Sequence, residues 1–238
     1  MIKGNELLKS SLEKLGIGYK DDQIEKFDLF YELLISWNKK INLTAITEYE
    51  DVVIKHFIDS LLILKYIDLN GKKIIDVGTG AGFPGIPIKI LKPDCDMVLL
   101  DSLNKRIKFL EEVKRELDLK DLYLIHGRAE DLAHDNDYRG TFDYSVSRAV
   151  ANLSTLSEYC IPFIKKGGWF ISYKSDKSDD EINSAKNAVK VLGSKIVKVE
   201  EVDLAGTDII RKLVIIENIE KVRNLYPRKA GVPAKQPL

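Results

Sequence analysis

The chain has 238 residues, enough to bury a substantial core, and its 45% hydrophobic and 31% charged residues are typical of a globular protein. Lys and Arg together number 37, as do Asp and Glu, so the net charge alone predicts no polyanionic partner. No apolar run is long enough for a membrane span, and Cys95, Cys160 and three scattered histidines have no metal-ligand spacing. We therefore expect a reduced, cytoplasmic chain with no membrane and no metal partner.

Residues 1–66 are predicted to form a helical cap. Apolar residues recur at three- and four-residue steps between positions 24 and 41, which indicates an amphipathic helix. Thr47 and Glu50 have the spacing of a capping box, which predicts the start of another helix. His56 and Asp59 on that helix have two interpretations. We favour a hydrogen-bond network that fixes the cap on the rest of the chain over a polar cluster facing a ligand.

Residues 67–220 are predicted to form the second unit, because short β-branched runs here alternate with amphipathic segments. The candidate strands are 72–78, 96–101, 122–128, 142–148, 167–174, 195–204 and 211–219. The first five alternate with helices, which predicts parallel pairing, whereas the last two follow each other directly, as in an antiparallel hairpin at the sheet edge. The predicted fold is therefore α/β, a doubly wound, mostly parallel, seven-stranded, Rossmann-like sheet with an N-terminal helical cap.

The stretch DVGTGAGFPG at 76–85 contains two overlapping glycine signatures. Gly80, Gly82 and Gly85 match the dinucleotide fingerprint, whereas Asp76, Gly78, Gly80 and Gly82 match a loop for a nucleoside ligand without phosphate. A carboxylate at position 76 would oppose a pyrophosphate but suit the ammonium and sulfonium groups of S-adenosylmethionine. Asp76 therefore favours S-adenosylmethionine over NAD.

Two further acidic positions fit a nucleoside site. Asp101 ends the second predicted strand and is placed to accept hydrogen bonds from a ribose diol. Ala129 and Glu130, after the third strand, are placed to meet an adenine edge, although Glu130 and Asp131 are equally typical of a helix start. Three acidic strand ends around one crevice together favour a nucleoside site.

The chain resembles the RsmG (GidB, glucose-inhibited division protein B) family of bacterial 16S rRNA guanine-N7 methyltransferases, whose fold is that of the class I methyltransferases. The resemblance runs nearly end to end. The matching segments are WNKKINLT at 37–44, HFIDSL at 56–61, the glycine loop at 76–88, LDSLNKRIKFL at 100–110, GRAED at 127–131, SRAVA at 147–151 and YPRKAGVPAKQPL at 226–238. The glycine loop alone defines only a superfamily, but its combination with SRAVA and the C-terminal motif is highly specific.

The resemblance implies a set of cofactor-binding residues. Gly78, Phe83, Ala129, Glu130 and Arg148 match the family's S-adenosylmethionine contacts, and Asp101 matches the ribose-binding acid of the wider superfamily. Together with the glycine-loop residues, the predicted cofactor-binding set is Asp76, Gly78, Gly80, Gly82, Phe83, Asp101, Ala129, Glu130 and Arg148. One departure is Ser175, which follows Lys174 where many members have a Lys-Gly pair.

The implied chemistry needs no catalytic acid or base. Guanine N7 has an exposed lone pair and no proton at neutral pH, so direct in-line displacement requires only positioning and stabilisation of the resulting cation. The N/D-P-P-Y/F/W motif of amine methylation is missing after the fourth strand, and neither cysteine has the sequence context of a C5-methylation nucleophile. We therefore assign no acid, base or covalent nucleophile.

Basic residues are the predicted contacts to the RNA. Residues 221–238 contain five basic side chains and no acidic one, which predicts a stiff, extended basic arm packed with or near the active site. The substrate-positioning candidates are Arg128, Arg148, Lys174, Arg228 and Lys229. The expected partner is 16S rRNA or the 30S particle, and the expected oligomeric state is a monomer.

Three alternatives stay open at this point. The fold also suits a methyltransferase for another nucleic acid, a protein or a small molecule, although the basic arm disfavours a small molecule. An oxidoreductase using NAD is the alternative from a different class, and it would be protected by NADH rather than by S-adenosylhomocysteine. The third is a ribosome-associated binding protein without turnover, which the complete glycine loop and Arg148 disfavour.

Overall fold

The computed structural model describes residues 4–148, 151–204 and 207–238. Its centre is one seven-stranded sheet. The strands are β1 (Lys73–Val77), β2 (Asp96–Asp101), β3 (Leu122–His126), β4 (Phe142–Ser147), β5 (Ile164–Ser175), β6 (Ser194–Asp203) and β7 (Ile210–Asn218). Their order is β3-β2-β1-β4-β5-β7-β6, in which the first five strands pair in parallel and β7 runs antiparallel to both β5 and β6. The predicted fold, with its antiparallel hairpin at the edge, is confirmed.

Helices form most of the N-terminal region, as the sequence predicts. They are α1 (Gly4–Leu15), α2 (Asp21–Ile41) and a continuous helical stretch made of α3 (Tyr49–Val52), a π-helical segment (Val53–Ile58), α4 (Asp59–Leu61) and a 3-10 turn (Leu62–Lys65). The predicted capping box is wrong. Glu48, one residue after Thr47, is the N-cap, and its side chain makes no capping hydrogen bond. The Thr47 carbonyl instead accepts a hydrogen bond from the Tyr31 hydroxyl.

The remaining helices alternate with the strands. They are α5 (Gly85–Leu91), α6 (Asn104–Glu116), α7 (Ala129–Leu132), α8 (Leu153–Cys160), α9 (Asp179–Ser184), α10 (Lys186–Val191) and α11 (Val232–Lys235). Helices α1 to α6 contribute to the core on one face of the sheet, and α7 to α10 contribute to the core on the other. Both faces of the central strands are therefore covered, which explains their nearly continuous apolar sequences.

An aromatic cluster connects the N-terminal helices to the glycine loop. The ring of Phe30 lies 5.6 Å from that of Phe57 and 5.4 Å from that of Phe83, the loop phenylalanine. Phe57 is fully buried, and Trp37 packs against Phe109 with 5.8 Å between ring centroids. Trp37 and Phe57 therefore both take part in packing between helices. The cluster fixes the helices that border the crevice relative to the loop.

The C-terminal residues pack against α7 and α8. The Arg139 guanidinium donates hydrogen bonds to four carbonyl groups, those of Ala133, Val222, Arg223 and Tyr226. The prediction of an extended rather than helical arm is wrong for α11, which begins after Gly231 with its left-handed φ of 82°. Pro233 lies in the first turn of this helix, where no intrahelical amide bond is lost. In the described ranges, no helix has both the length and the apolar character needed to cross a membrane.

Candidate active site

The glycine loop follows β1 at the carboxyl edge of the parallel strands. Gly78, Gly80 and Gly82 have φ values of 74°, 63° and 90°, in the left-handed region that favours glycine. A Cβ atom on Gly80 would meet no atom within 4 Å. This position therefore borders open space in the crevice, and a side chain there would enter the space available to a ligand.

Asp76 holds the loop from below. It is fully buried, and its Oδ2 accepts hydrogen bonds from Thr79 Oγ1 at 2.7 Å and from the Gly85 amide at 2.9 Å. Its Oδ1 has no hydrogen-bond partner among the described residues. Burial raises the pKa of Asp76 to about 7, although both hydrogen bonds act in the opposite direction. The structure thus shows a loop-supporting carboxyl group, and its predicted role toward the cofactor ammonium remains a prediction.

Asp101, at the end of β2, supports the loop from the side. Its carboxylate accepts hydrogen bonds from the Gly80 amide at 2.9 Å, the Leu103 amide at 2.9 Å and Arg106 Nη1 at 3.1 Å. A carboxylate has about four lone-pair sites, so one remains for a ligand hydroxyl group. Asp101 also lines the crevice, as expected for a ribose-binding acid.

The crevice consists of two adjoining cavities that share Gly78, Asp101 and Ser102. The larger cavity, of about 700 Å³, is lined by the glycine loop, the N-terminal helical residues and the ends of β4, β5 and β7. The smaller cavity, of about 450 Å³, is lined by residues after β2 and β3, by α8 and by Gly231. Such a pair of cavities fits an elongated ligand that crosses the ends of β1 and β2.

Glu130 forms part of the wall of the smaller cavity. Its Oε1 accepts a hydrogen bond from the Gly231 amide at 3.0 Å. Burial and the neighbouring negative charge of Glu130 raise the pKa of Tyr159, which also lines this cavity, to about 12, so its phenol stays protonated. Ala129 lies beside Glu130 at the start of α7, as predicted for an adenine-binding corner.

Arg148 lies between the N-terminal helices and the end of β4. Its Nη1 donates to Asp59 Oδ2 at 2.8 Å, while Arg211 Nε donates to Asp59 Oδ1 at the same distance. Asp59 is fully buried between these two guanidinium groups. The network that we favoured for Asp59 and His56 is therefore present, and it connects the helical region to β4 and β7. Ala149 and Val150 of the SRAVA motif lie outside the described residues.

His56 is both part of this network and part of the cavity wall. Its ring stacks on Phe83 with 4.5 Å between centroids, and its Nδ1 faces Arg148 Nη2 at 3.1 Å. Burial, followed by the positive charge of Arg148, lowers the pKa of His56 to about 3. His56 is therefore neutral near pH 7 and cannot act there as a cationic acid.

The other substrate-positioning candidates fall into two groups. Lys174 is buried, with Nζ bonded to Glu181 at 2.6 Å and to the Ala151 carbonyl at 2.9 Å. Arg228 forms a bidentate ion pair with the fully buried Glu158. Arg128 and Lys229, by contrast, are exposed. The structure thus places Lys174 and Arg228 in internal ion pairs and leaves Arg128 and Lys229 accessible.

Sequence reasoning missed several residues of the crevice. Thr44 and Arg211 line the larger cavity, and Tyr159 and Gly231 line the smaller one. Thr44 and Gly231 lie within segments that match the family, but no pattern in the sequence indicates a role for either of them. Arg211 is 152 positions from Asp59, so only the pairing of β5 with β7 brings it to the site.

The fold and the crevice define a class of protein. A doubly wound sheet of this strand order, a glycine loop after β1, and acidic groups at the ends of β2 and β3 constitute a class I methyltransferase. Two features of the crevice suit S-adenosylmethionine, because Gly80 leaves room for a ligand and Asp101 retains an acceptor site for a ribose hydroxyl group.

Comparison with known proteins identifies the family. Residues 23–213 match the family model GidB, described as rRNA small subunit methyltransferase G. The chain is 49% identical over 238 residues to the Ribosomal RNA small subunit methyltransferase G of Clostridium tetani, covering 100% of both chains. It is 47% identical over 234 residues to the protein of the same name from Alkaliphilus metalliredigens, covering 98% of each. The chain therefore belongs to the rRNA small subunit methyltransferase G family.

Solved structures share the fold at low sequence identity. TYW2 of M. jannaschii in complex with AdoMet superposes with a TM-score of 0.51 and 14% identity, covering 65% of this chain and 72% of that one. TrmN of Thermus thermophilus superposes with a TM-score of 0.52 and 14% identity, covering 70% and 53% of the two chains. These structures agree in fold, and membership of the family confirms the predicted family, the enzyme class and S-adenosylmethionine as methyl donor.

Proposed function

We propose that this chain transfers a methyl group from S-adenosyl-L-methionine to N7 of a guanine in 16S ribosomal RNA, by in-line displacement without a covalent enzyme intermediate. The observation that carries the proposal is the two-part crevice beside the glycine loop, in a chain of this family. Small-subunit rRNA is the substrate named for the relatives. N7 is proposed as the methylated atom because it has a lone pair and no proton, so its methylation needs no general base.

In this proposal, different residues around the crevice bind different parts of the cofactor. The loop residues Gly78, Gly80, Gly82 and Phe83 lie along its central part, and Asp101 accepts from the ribose. Ala129 and Glu130 bind the adenine edge, Arg148 binds the methionine carboxylate, and Asp76 supplies negative charge beneath the ammonium group. S-adenosylmethionine, when bound, supplies an electrophilic methyl group on a sulfonium centre.

The chemistry requires a neutral, well-positioned site rather than a base. The N7 lone pair forms the new carbon–nitrogen bond as the carbon–sulfur bond breaks, so the guanine becomes cationic and S-adenosylhomocysteine leaves as a neutral thioether. His56 is neutral near pH 7, and the positive charges of Arg148 and Arg211 are balanced in part by Asp59. This arrangement limits repulsion of the purine cation.

Neither cysteine suits a covalent route. Cys95 and Cys160 are both fully buried, and burial raises the pKa of Cys95 to about 11 and that of Cys160 well above its ordinary value. Neither thiol lines the two cavities. Among the described residues, no group of three or more His, Cys, Asp or Glu side chains has a metal-binding arrangement.

For the RNA, we propose that the exposed Arg128 and Lys229 contact phosphates, and that Lys174, Arg148 and Arg228 shape the surface on which the substrate rests. In this proposal, residues 1–66 cap the site, residues 67–220 bind the cofactor and residues 221–238 form a basic border. The enzyme acts as a monomer, and its partner is either 16S rRNA or the 30S particle.

The test is transfer of labelled methyl from S-adenosylmethionine to 16S rRNA and to 30S particles from a strain lacking the enzyme, with the modified nucleoside identified by mass spectrometry. We expect 7-methylguanosine at a single position. Transfer to another nucleoside would refute the N7 assignment, and transfer to neither RNA form by a cofactor-binding protein would refute the substrate.

A further inference from the structure

A directed chain of hydrogen bonds runs from Arg148 to the wall of the larger cavity. Arg148 Nη2 lies 3.1 Å from His56 Nδ1, and His56 Nε2 lies 2.8 Å from Thr44 Oγ1. A guanidinium group can only donate, so His56 Nδ1 must accept. The ring proton of His56 therefore resides on Nε2 and points to Thr44.

Thr44 Oγ1 receives a second hydrogen bond from the backbone amide of Ile46 at 3.0 Å. A hydroxyl oxygen has two lone pairs, and these two donors occupy both. The hydroxyl proton of Thr44 therefore cannot be given to His56 and remains available to another group. Because Thr44 is half-buried and lines the larger cavity together with His56 and Phe83, its hydroxyl proton is available to a ligand or a water molecule in that cavity.

The backbone around Thr44 is held in place for this task. Asn38 Oδ1 accepts from the Leu43 amide at 2.6 Å and from the Thr44 amide at 2.9 Å, while Asn38 Nδ2 donates to the Thr44 carbonyl at 2.9 Å. The preceding Asn42 has a left-handed φ of 49° and ends α2. The position of Thr44 is thus fixed by side chains from two helical segments, as required of a specificity contact.

We infer that the Thr44 hydroxyl group donates a hydrogen bond to the 6-oxo group of the target guanine and thereby selects guanine over adenine. This inference rests on the proposed function. N7 must keep its lone pair for the methyl group, so on the edge of the base that carries N7 the acceptor left for a donor on the cavity wall is the neighbouring O6. Adenine has an amino group at that position, and two donors would face each other.

A neutral hydroxyl group suits this position better than a cation. A charged donor at O6 would withdraw electron density from N7 and would repel the purine as it becomes positive. The neutral His56 lies between Thr44 and Arg148, and the positive charge of Arg148 is paired with Asp59. The chain of hydrogen bonds thus presents a donor without presenting a full positive charge.

A double-mutant cycle between enzyme and substrate tests the inference. The substrate is 16S rRNA assembled by ligation with either guanosine or 6-thioguanosine at the methylated position, because sulfur is a weak acceptor. Thr44→Val removes the donor, and Thr44→Ser keeps it. For the wild type and for Thr44→Ser, we expect the thio substitution to lower single-turnover methyl transfer about tenfold.

For Thr44→Val, transfer to guanosine should fall about tenfold, and the thio substitution should have little further effect. The cofactor dissociation constant should stay within twofold of the wild type. An equal thio effect in wild type and Thr44→Val would overturn the inference, as would loss of cofactor affinity in Thr44→Val, which would assign the donor to the methionine carboxylate. Absence of 7-methylguanosine with the wild type would refute the proposed function itself.

Discussion

The backbone amide of Gly231 donates a 3.0 Å hydrogen bond to Glu130 Oε1, although the two residues are 101 positions apart in the chain. This bond attaches the end of the C-terminal segment to the wall of the smaller cavity. Thr155 Oγ1 also donates to the Pro233 carbonyl at 3.0 Å, so the segment is held again two residues after Gly231. The C-terminal segment therefore forms part of the pocket wall that we assign to adenine.

The first prediction concerns this bond. Deletion of residues 230–238 removes the Gly231 amide that donates to Glu130, and the cofactor dissociation constant should rise roughly five- to tenfold, as expected for loss of one part-buried hydrogen bond that supports the pocket wall. Glu130→Ala should weaken binding at least as much. The two changes together should be less than additive because they break the same contact. Calorimetric titration with S-adenosylhomocysteine measures all three constants.

Lys235→Ala is the matched control, because this exposed side chain lies on α11 and its removal leaves the Gly231 amide in place. Its dissociation constant should equal that of the wild type. Unchanged cofactor affinity in a deletion variant that is still folded would show that the C-terminal segment does not support the adenine pocket.

The second prediction separates two adjacent basic residues. Arg228→Ala leaves the buried carboxylate of Glu158 without its ion-pair partner, which should lower the free energy of unfolding by about 3 kcal/mol or more. Lys229→Ala removes an exposed charge and should change stability by less than about 0.5 kcal/mol. Urea denaturation followed by circular dichroism distinguishes the two variants.

RNA binding should show the opposite order. Lys229→Ala should weaken binding to 16S rRNA and reduce the slope of affinity against salt by about one unit, as for the loss of one phosphate contact. A stable Arg228→Ala variant with the larger loss of RNA affinity would instead assign Arg228 to the RNA, as the sequence alone suggested.

The sequence predicts the parts of this site that lie at strand ends. The carboxyl ends of parallel strands meet at one edge, so the glycine loop, Asp101 and Ala129 could be placed together from strand order alone. The sequence does not show which charged side chains are buried in ion pairs. From the sequence, Arg228 is expected to be a surface cation in a basic tail. Its ion-pair partner, Glu158, lies on a helix 70 residues earlier, and no pattern distinguishes that position.

The residues that line the larger cavity were harder to predict, because contacts between distant segments bring them together. Arg211 comes to Asp59 only because β7 inserts between β5 and β6, an order that local patterns do not specify. Thr44 acquires its donor role from the tautomer of His56, which Arg148 determines from the end of β4. Such relationships depend on tertiary contacts between distant segments, and a single sequence contains no direct signal for them.

The third prediction concerns the two thiols. Cys95→Ala and Cys160→Ala should each retain methyl transfer within about threefold, because neither thiol lines the crevice and burial raises the pKa of both. Each should lower stability by about 1 kcal/mol through the small cavity that is left. A stably folded variant without activity would require a covalent step, and single-turnover assays detect that outcome.

The fourth prediction follows from the buried carboxyl group of Asp76, whose pKa is raised to about 7 from 3.8. Between these values the folded state holds a proton that the unfolded state has lost, so the free energy of unfolding falls as pH rises through this window. Asp76→Asn lacks this proton equilibrium. The stability of the variant relative to wild type should therefore increase by a few kcal/mol from about pH 4 to about pH 7, measured by urea denaturation.

Asp68→Asn, at an exposed position, is the matched control and should show little such change. Comparison of the wild type with Asp76→Asn also tests the proposed role of Asp76 toward the cofactor ammonium, because a cation nearby favours the ionised carboxylate. Wild-type affinity for S-adenosylhomocysteine should then rise from pH 6 to pH 8, roughly in proportion to the ionised fraction of Asp76, and affinity of Asp76→Asn should be weaker and follow a flatter profile. Parallel profiles for the two proteins would limit Asp76 to the support of Thr79 and Gly85, where its hydrogen bonds already place it.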